Sequence, residues 1–202
     1  MKFSLRAFIF FVLLVTSKSV FAQPANNDCA NAVLLTSYAT TCTASTAGTV
    51  TNATNSNIAA NASCGGAADD DVWYKFVAQS YSTTITLSGI SNGSNKLGNA
   101  TPTLELFSGT CPSGLSSLTC DNSNNPSITY ATTANTTYYV RVYSGDVGFP
   151  SSSGTFNICV THLPPPSPPS NDECIGATTL TSGTINSSGT VWGATASGIA
   201  AT

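Results

Sequence analysis

The chain has 202 residues, of which only 7% are charged, with six basic residues, nine acids, one histidine and a net charge of −3. An acidic chain this poor in cations argues against nucleic acid as a partner. Its Thr, Ser, Asn, Gly and Ala content resembles that of a disordered chain, yet regular apolar and aromatic runs cross it, which points to a β-protein with polar loops.

Residues 1–22 have the form of a secretory signal. Lys2 and Arg6 precede an apolar run from Ala7 to Val15, and Val20-Phe21-Ala22 offers small residues at the cleavage position. The run falls short of the ~20 apolar residues that span a bilayer, so no stable membrane span is expected. Cleavage would start the mature chain at Gln23 and leave Lys75, Lys96 and Arg141 as its only cations. All seven cysteines lie beyond the signal, and in a secreted or cell-surface chain their default state is disulfide-bonded. Zinc is disfavoured because no Cys-x-x-Cys pair occurs and His162 is the only histidine.

Within 23–163, five segments alternate with period two. DVWYKFVA (71–78) places Val72, Tyr74 and Phe76 on one face, and STTITLS (82–88) does so with Thr83, Ile85 and Leu87. PTLELFS (102–108) offers Leu104 and Leu106, TYYVRVYS (137–144) Tyr138, Val140 and Val142, and TFNICVT (155–161) Phe156, Ile158 and Val160. The pattern predicts an all-β fold, an antiparallel two-sheet sandwich of jelly-roll-like form, linked by disulfides.

The run LPPPSPPS follows, and 164–170 is expected to be an extended polyproline linker rising about 3.1 Å per residue. Beyond it the opening phrase returns. Asn27-Asp28-Cys29 aligns with Asn171-Asp172-Glu173-Cys174 when one residue is inserted, Ala32 and Leu35 recur as Ala177 and Leu180, and GTVTNATNS from Gly48 recurs as GTVWGATAS from Gly189. The period of about 140 residues is the size of a domain. Residues 171–202 therefore read as the start of a second, truncated copy, too short to bury a core alone, in a fragment of a multi-module protein.

DDDVWYKF, PTLELFSGTC, TTYYVRVYSG and GTFNICV, in that order, resemble the pre-peptidase C-terminal type of β-sandwich, in the Cys-framed NDxC form repeated in exported proteins of Bacteroidetes. The resemblance spans about Asn27 to Thr161 and implies an accessory module of secreted or surface proteins. Two functions follow as expectations: a non-catalytic binding or adhesion module in a multi-repeat protein, or an accessory, substrate-targeting domain of an exported peptidase or glycoside hydrolase. No catalytic constellation stands out. His162 is expected in an exposed loop and no serine sits in a Gly-x-Ser-x-Gly elbow, so no enzyme activity is expected.

Three expectations concern individual residues. Cys111 and Cys120 flank the turn-like PSGLSSLT and are expected to bond across a hairpin, a link worth about 2.5–3 kcal/mol; of the three arrangements open to the other four, Cys29 with Cys159 and Cys42 with Cys64 is favoured. Some relatives of the resembled sandwich bind calcium, and Asp69, Asp70 and Asp71, which Asp121 and Asn122 could approach from a neighbouring loop, form a candidate calcium site, the only cofactor the sequence suggests. The plainer and favoured alternative is a solvated acidic strand entry that protects a sheet edge.

Finally, Trp73, Tyr139, Arg141 and Tyr143 fall on the strand faces opposite the core. They suit a shallow platform for extracellular polysaccharide or a surface protein. Packing beneath a loop, with Arg141 over neighbouring rings, accounts for the same pattern and is the favoured alternative.

Overall fold

The computed structural model describes residues 22–59, 61–145, 154–164, 167–180, 182, 191, 194 and 195. All of the expected signal segment except Ala22, residues 165 and 166 of the expected linker and most of the chain past 182 lie outside the described residues.

Ten strands are described: β1 (Val33–Leu34), β2 (Ser37–Ala39), β3 (Thr46–Thr49), β4 (Val72–Val77), β5 (Ser82–Ser88), β6 (Pro102–Thr110), β7 (Gly114–Asp121), β8 (Ser127–Ala131), β9 (Thr137–Ser144) and β10 (Thr155–His162). The first sheet runs β1-β4-β9-β6-β7; the second runs β2-β10-β5-β8, with β3 also on β10. Pairing is antiparallel except for β1 on β4 and β2 on β10. These two short parallel strands are consecutive in the chain but belong to different sheets. Between them Leu35 is buried, so the chain crosses from one sheet to the other and closes that edge with an apolar plug.

The alternation read from the sequence holds. Val72, Tyr74 and Phe76 of β4, Ile85 and Leu87 of β5, Leu104 and Leu106 of β6, Tyr138, Val140 and Val142 of β9, and Phe156, Ile158 and Val160 of β10 form one buried cluster between the sheets. Packing is close enough to dictate a glycine. Tyr74 and Phe156 meet edge to face at 6.0 Å. Gly48 on β3 lies against both; a Cβ there would overlap the Tyr74 hydroxyl and sit 2.6 Å from the Phe156 ring.

The stretch read as a turn, PSGLSSLT, is mostly strand β7, hydrogen-bonded along β6. A register shift between Leu106 and Phe107 leaves Leu118 without an opposite residue, as in a β-bulge. The bulge resets which side chains point outward. Ser117 lies opposite Phe107 and Cys120 opposite Glu105, on the face away from the core, while Leu118 packs against the core.

The disulfides join Cys29 to Cys111, Cys42 to Cys159 and Cys64 to Cys120, which corrects all three expected pairings. Cys111 sits in the β6–β7 turn, whereas Cys120 is near the far end of β7, opposite Glu105. At about 3.3 Å of rise per strand residue they are far beyond the ~7 Å Cα limit for a bond. Cys29 packs with Trp73 and Phe107 on the outer face of the first sheet, while Cys159 belongs to the second. Cys42 follows β2, a neighbour of β10, and so reaches Cys159.

Past the linker, the second phrase folds locally like the first. In the first copy Asn27 N–H donates to Pro24 O (3.0 Å), Asn31 N–H to Asp28 O (2.9 Å), Ala32 N–H to Cys29 O (3.2 Å) and Ala53 N–H to Val50 O (3.0 Å). In the second, Asp172 N–H donates to Pro169 O (3.0 Å), Gly176 N–H to Glu173 O (2.8 Å), Ala177 N–H to Cys174 O (3.2 Å) and Ala194 N–H to Val191 O (3.0 Å). A side-chain bond recurs too: Thr54 N–H donates to Asn27 Oδ1 at 2.7 Å, and Thr195 N–H to Asp172 Oδ1 at 2.8 Å. These bonds align Asn27 with Asp172 and Asp28 with Glu173, so the opening phrase matches without the insertion that the letters suggest.

Candidate functional site

The outer face of the first sheet is built in rows. Trp73 of β4, Arg141 of β9, Glu105 of β6 and Cys120 of β7 are successive register partners, and Lys75, Tyr139, Phe107 and Ser117 form the next row. The same-sheet requirement of the expected platform is thus met. Its exposure is not: Trp73, Arg141 and Tyr143 are fully buried and Tyr139 is half-buried.

The cover is the connection between β3 and β4, which carries no apolar periodicity. Ile58 packs with Trp73 and Phe107, Asn61 N–H donates to Glu105 Oε1 (3.1 Å), and Cys64 is tied to Cys120. At the opposite end, Asn26 pairs with the Trp73 backbone in both directions, and the Cys29–Cys111 disulfide lies beside the rings. The platform reading is corrected accordingly. Polar-tipped aromatics and an arginine stand on the outer face because the chain folds its own loop over them.

Arg141 is the centre of this second, polar core. Its guanidinium lies 5.3 Å from the Trp73 ring centre, 5.1 Å from that of Phe107 and 5.3 Å from that of Tyr143. It donates to Glu105 Oε2 at 2.6 Å, to Asp71 Oδ2 at 3.3 Å and to the Ile58 carbonyl at 2.7 Å. A planar fork with several donors serves two carboxylates and the loop backbone at once, which an ammonium would not do. Ser56 donates through its N–H to Asp71 Oδ1 (2.9 Å) and through its hydroxyl to Oδ2 (2.6 Å), and accepts from Trp73 Nε1 (3.2 Å). Burial pushes the Asp71 carboxyl above its ordinary 3.8, outweighing the Ser56 hydrogen bonds and the Arg141 charge that pull it down. Burial, aided by the Glu105 charge, pushes the Tyr143 phenol up to about 12.

Asp69, Asp70, Asp71, Asp121 and Asn122 do not converge, which corrects the calcium site. Asp70 accepts from Ser144 N–H (2.8 Å) and hydroxyl (2.7 Å) at the end of β9, whereas Asp71 faces Ser56 and Arg141. Asp121 accepts from the N–H groups of Ser123 and Ser127 at 2.8 Å each, fixing the turn between β7 and β8, and Asn122 donates to the Cys64 carbonyl at 2.8 Å. Among the described residues no group of three or more His, Cys, Asp or Glu is arranged to hold a metal ion. The solvated-edge alternative is corrected as well, since Asp70 and Asp71 are fully buried and act as internal fasteners. His162 is the last residue of β10 and its Nδ1 lies 2.9 Å from Ser37 Oγ, so it is a strand residue and not a loop one.

Glu105, Ser56 and Asn61 went unread in the sequence. One signal was present: Glu105 is an acid at an outward strand position in a chain with few cations to pair with it.

The outer face of the second sheet differs. Thr84 and Thr86 of β5 meet Thr129 and Ser127 of β8 hydroxyl to hydroxyl at 2.8 and 3.1 Å, and Thr161 of β10 lies opposite Thr84. Ser127 and Thr129 are exposed, Thr84, Thr86 and Thr161 half-buried.

Fold and site thus define a disulfide-linked β-sandwich with one outer face sealed by a loop. No known protein family and no curated protein matches the chain. Among solved structures it is similar to PliG of Aeromonas hydrophila, a periplasmic lysozyme inhibitor of g-type lysozyme, at 16% identity and a TM-score of 0.36, over 66% of this chain and 98% of that one. A likeness at that level carries no inference about function.

Proposed function

We propose that the chain is part of an exported, non-catalytic binding or adhesion protein built from repeated sandwich modules, attached to the resembled pre-peptidase type by motif order. The observation that carries this reading is the bond-for-bond recurrence of the opening phrase beyond the proline-rich linker. Three disulfides support export, because such bonds persist in oxidising compartments.

With the Trp73 face sealed, the contact surface is the outer face of the second sheet. Its strands β5, β8 and β10 carry no Asp, Glu, Lys or Arg, and its cross-strand hydroxyl pairs hold donors and acceptors in fixed rows. A neutral extracellular polysaccharide matches that chemistry better than an ionic partner. The test is retention of the purified chain on insoluble neutral polysaccharides such as cellulose, chitin and mannan. Retention lost in Thr84→Lys/Thr129→Lys, with the melting temperature lowered by no more than a few degrees, is expected; equal retention of parent and variant, or none by the parent, contradicts the assignment.

A further inference from the structure

The two opening phrases share a backbone but not an environment. In the first copy Asn26, Cys29, Ala32 and Leu35, spaced by three, are buried. Their counterparts Asn171, Cys174, Ala177 and Leu180 are exposed: Leu35 is 4% accessible and Leu180 67%, and Val50 is 0% against 87% for Val191. In the first copy Leu35 belongs to the core between the sheets, and Ala32 packs with Cys29 on the outer face of the first sheet. Asn26 O accepts from Trp73 N–H and its Nδ2 donates to Trp73 O, so it reads the edge of an extended strand. Cys29 bonds to Cys111, which lies in the turn between β6 and β7. Trp73 and Phe107 pack with Cys29 and Ala32 as an aromatic floor.

The same 3-10 turn frames both cysteines. The turns Cys29–Asn31 and Cys174–Gly176 have an extended N-cap residue, Asp28 (φ −117°, ψ 147°) and Glu173 (φ −101°, ψ 152°), and close with the N–H of Ala32 or Ala177 on the cysteine carbonyl. Cys174 therefore sits on the same backbone turn as Cys29, and it is free and exposed. Six cysteines of the first sandwich are already bonded to one another.

We propose that residues 169–180, together with Val191, Ala194 and Thr195, belong to the docking half of a second sandwich, whose occupant is chain beyond Thr202. That continuation supplies an extended strand whose backbone bonds to Asn171, and a β-hairpin with a cysteine in its turn for Cys174. The inference rests on the repeat reading above and adds the bond partner. Since Cys29 and Cys111 are 82 positions apart, the partner falls about that far beyond Cys174. In forming the bond, two thiols become one disulfide; their two electrons and two protons pass to a disulfide-bearing oxidant of the export compartment, which leaves as a dithiol.

The test is thiol counting and disulfide mapping on two proteins: the 202-residue chain, and the full-length protein recovered as its source secretes it. Without denaturant, the 202-residue chain should react with one equivalent of a maleimide, at Cys174. In the full-length protein that equivalent should vanish, and the Cys174 peptide should be found linked to a cysteine about 82 residues onward. Cys174 alkylated as a free thiol, or bonded to Cys174 of a second molecule, overturns the proposal. If further modules follow and Cys174 is nevertheless free, the inference fails while the repeat reading stands; if no module follows, both fail.

Discussion

The two outer faces of the sandwich show how the same strand alternation yields opposite surfaces. On the second sheet, small hydroxyl residues pair with each other across strands and leave the face open. On the first, large aromatics, an arginine and two acids are covered by the β3–β4 connection and held by two disulfides. The difference is set by what each face can satisfy alone. Thr and Ser rows remain content in water, whereas Trp73, Phe107 and Tyr143 gain by burial, and their burial obliges Arg141 to bring Asp71 and Glu105 with it.

Removing Arg141 should break this contrast most severely. Arg141→Ala leaves the Asp71 and Glu105 carboxyls buried without their shared cation, so denaturant unfolding should show a loss of about 3–5 kcal/mol. Arg141→Lys should recover only part of it, because the fork that also reaches the Ile58 carbonyl is lost.

The covering loop depends next on its staple. Cys64→Ser/Cys120→Ser opens a link spanning 56 residues and should cost about 2–5 kcal/mol. It should also make Trp73 accessible to oxidation, whereas Cys42→Ser/Cys159→Ser, which destabilises the other sheet, should leave Trp73 protected in the folded state. Equal Trp73 protection in both would separate the loop from the staple.

Within the main core, Gly48→Ala forces a methyl against Tyr74 and Phe156 and should cost about 1–3 kcal/mol in thermal or chemical unfolding. The faces also differ in pH response, because the titrating groups are concentrated on and beneath the sealed side. Burial pushes Tyr74 and Tyr143 from 10.0 to about 12, so the folded state keeps protons that the unfolded chain releases. Stability should therefore fall as pH rises from 10.0 to about 12, with phenolate absorbance appearing together with unfolding. At the acid end two aspartates act oppositely. The raised Asp71 contributes stability that is fully present below 3.8 and is lost as pH rises through its folded value. For Asp121, partial burial raises the carboxyl, but the Ser127 and Ser123 hydrogen bonds together outweigh it; its lowered value gives stability present above 3.8 and lost as pH falls. Asp71→Asn should consequently gain on the parent as pH rises through the Asp71 titration. The smallest effect is expected on the open face, where Thr84→Lys/Thr129→Lys should stay within about 1 kcal/mol of the parent, the scale of one cross-strand pair.

The core was legible because alternation is a local property. Tyr74, Ile85, Leu106, Val140 and Ile158 could be assigned to it from their own strands. Strands β1, β2, β3 and β8 are short, and β7 is rich in Gly and Ser, so none carries an apolar stripe strong enough to separate it from a turn. Disulfide partners depend on which sheet each cysteine reaches, and Cys120 gains its outward aim from a bulge with no sequence signature. The fate of Trp73, Arg141 and Tyr143 hung on a cover made of Asn, Ala and Ser, whose hold on the sheet comes from backbone amides and from Ser56, Asn61 and Cys64 individually. The repeat was visible in the letters, but its register emerged only from hydrogen bonds that equate Asn27 with Asp172.

Hydroxyl-radical footprinting of the folded, oxidised chain tests the sealed face most directly, with each residue's modification rate compared between native and denatured protein. Strong native protection of Trp73 and Tyr143 is expected, with little protection of Tyr81, which is 40% exposed. Native rates for Trp73 and Tyr143 close to their denatured rates would contradict it.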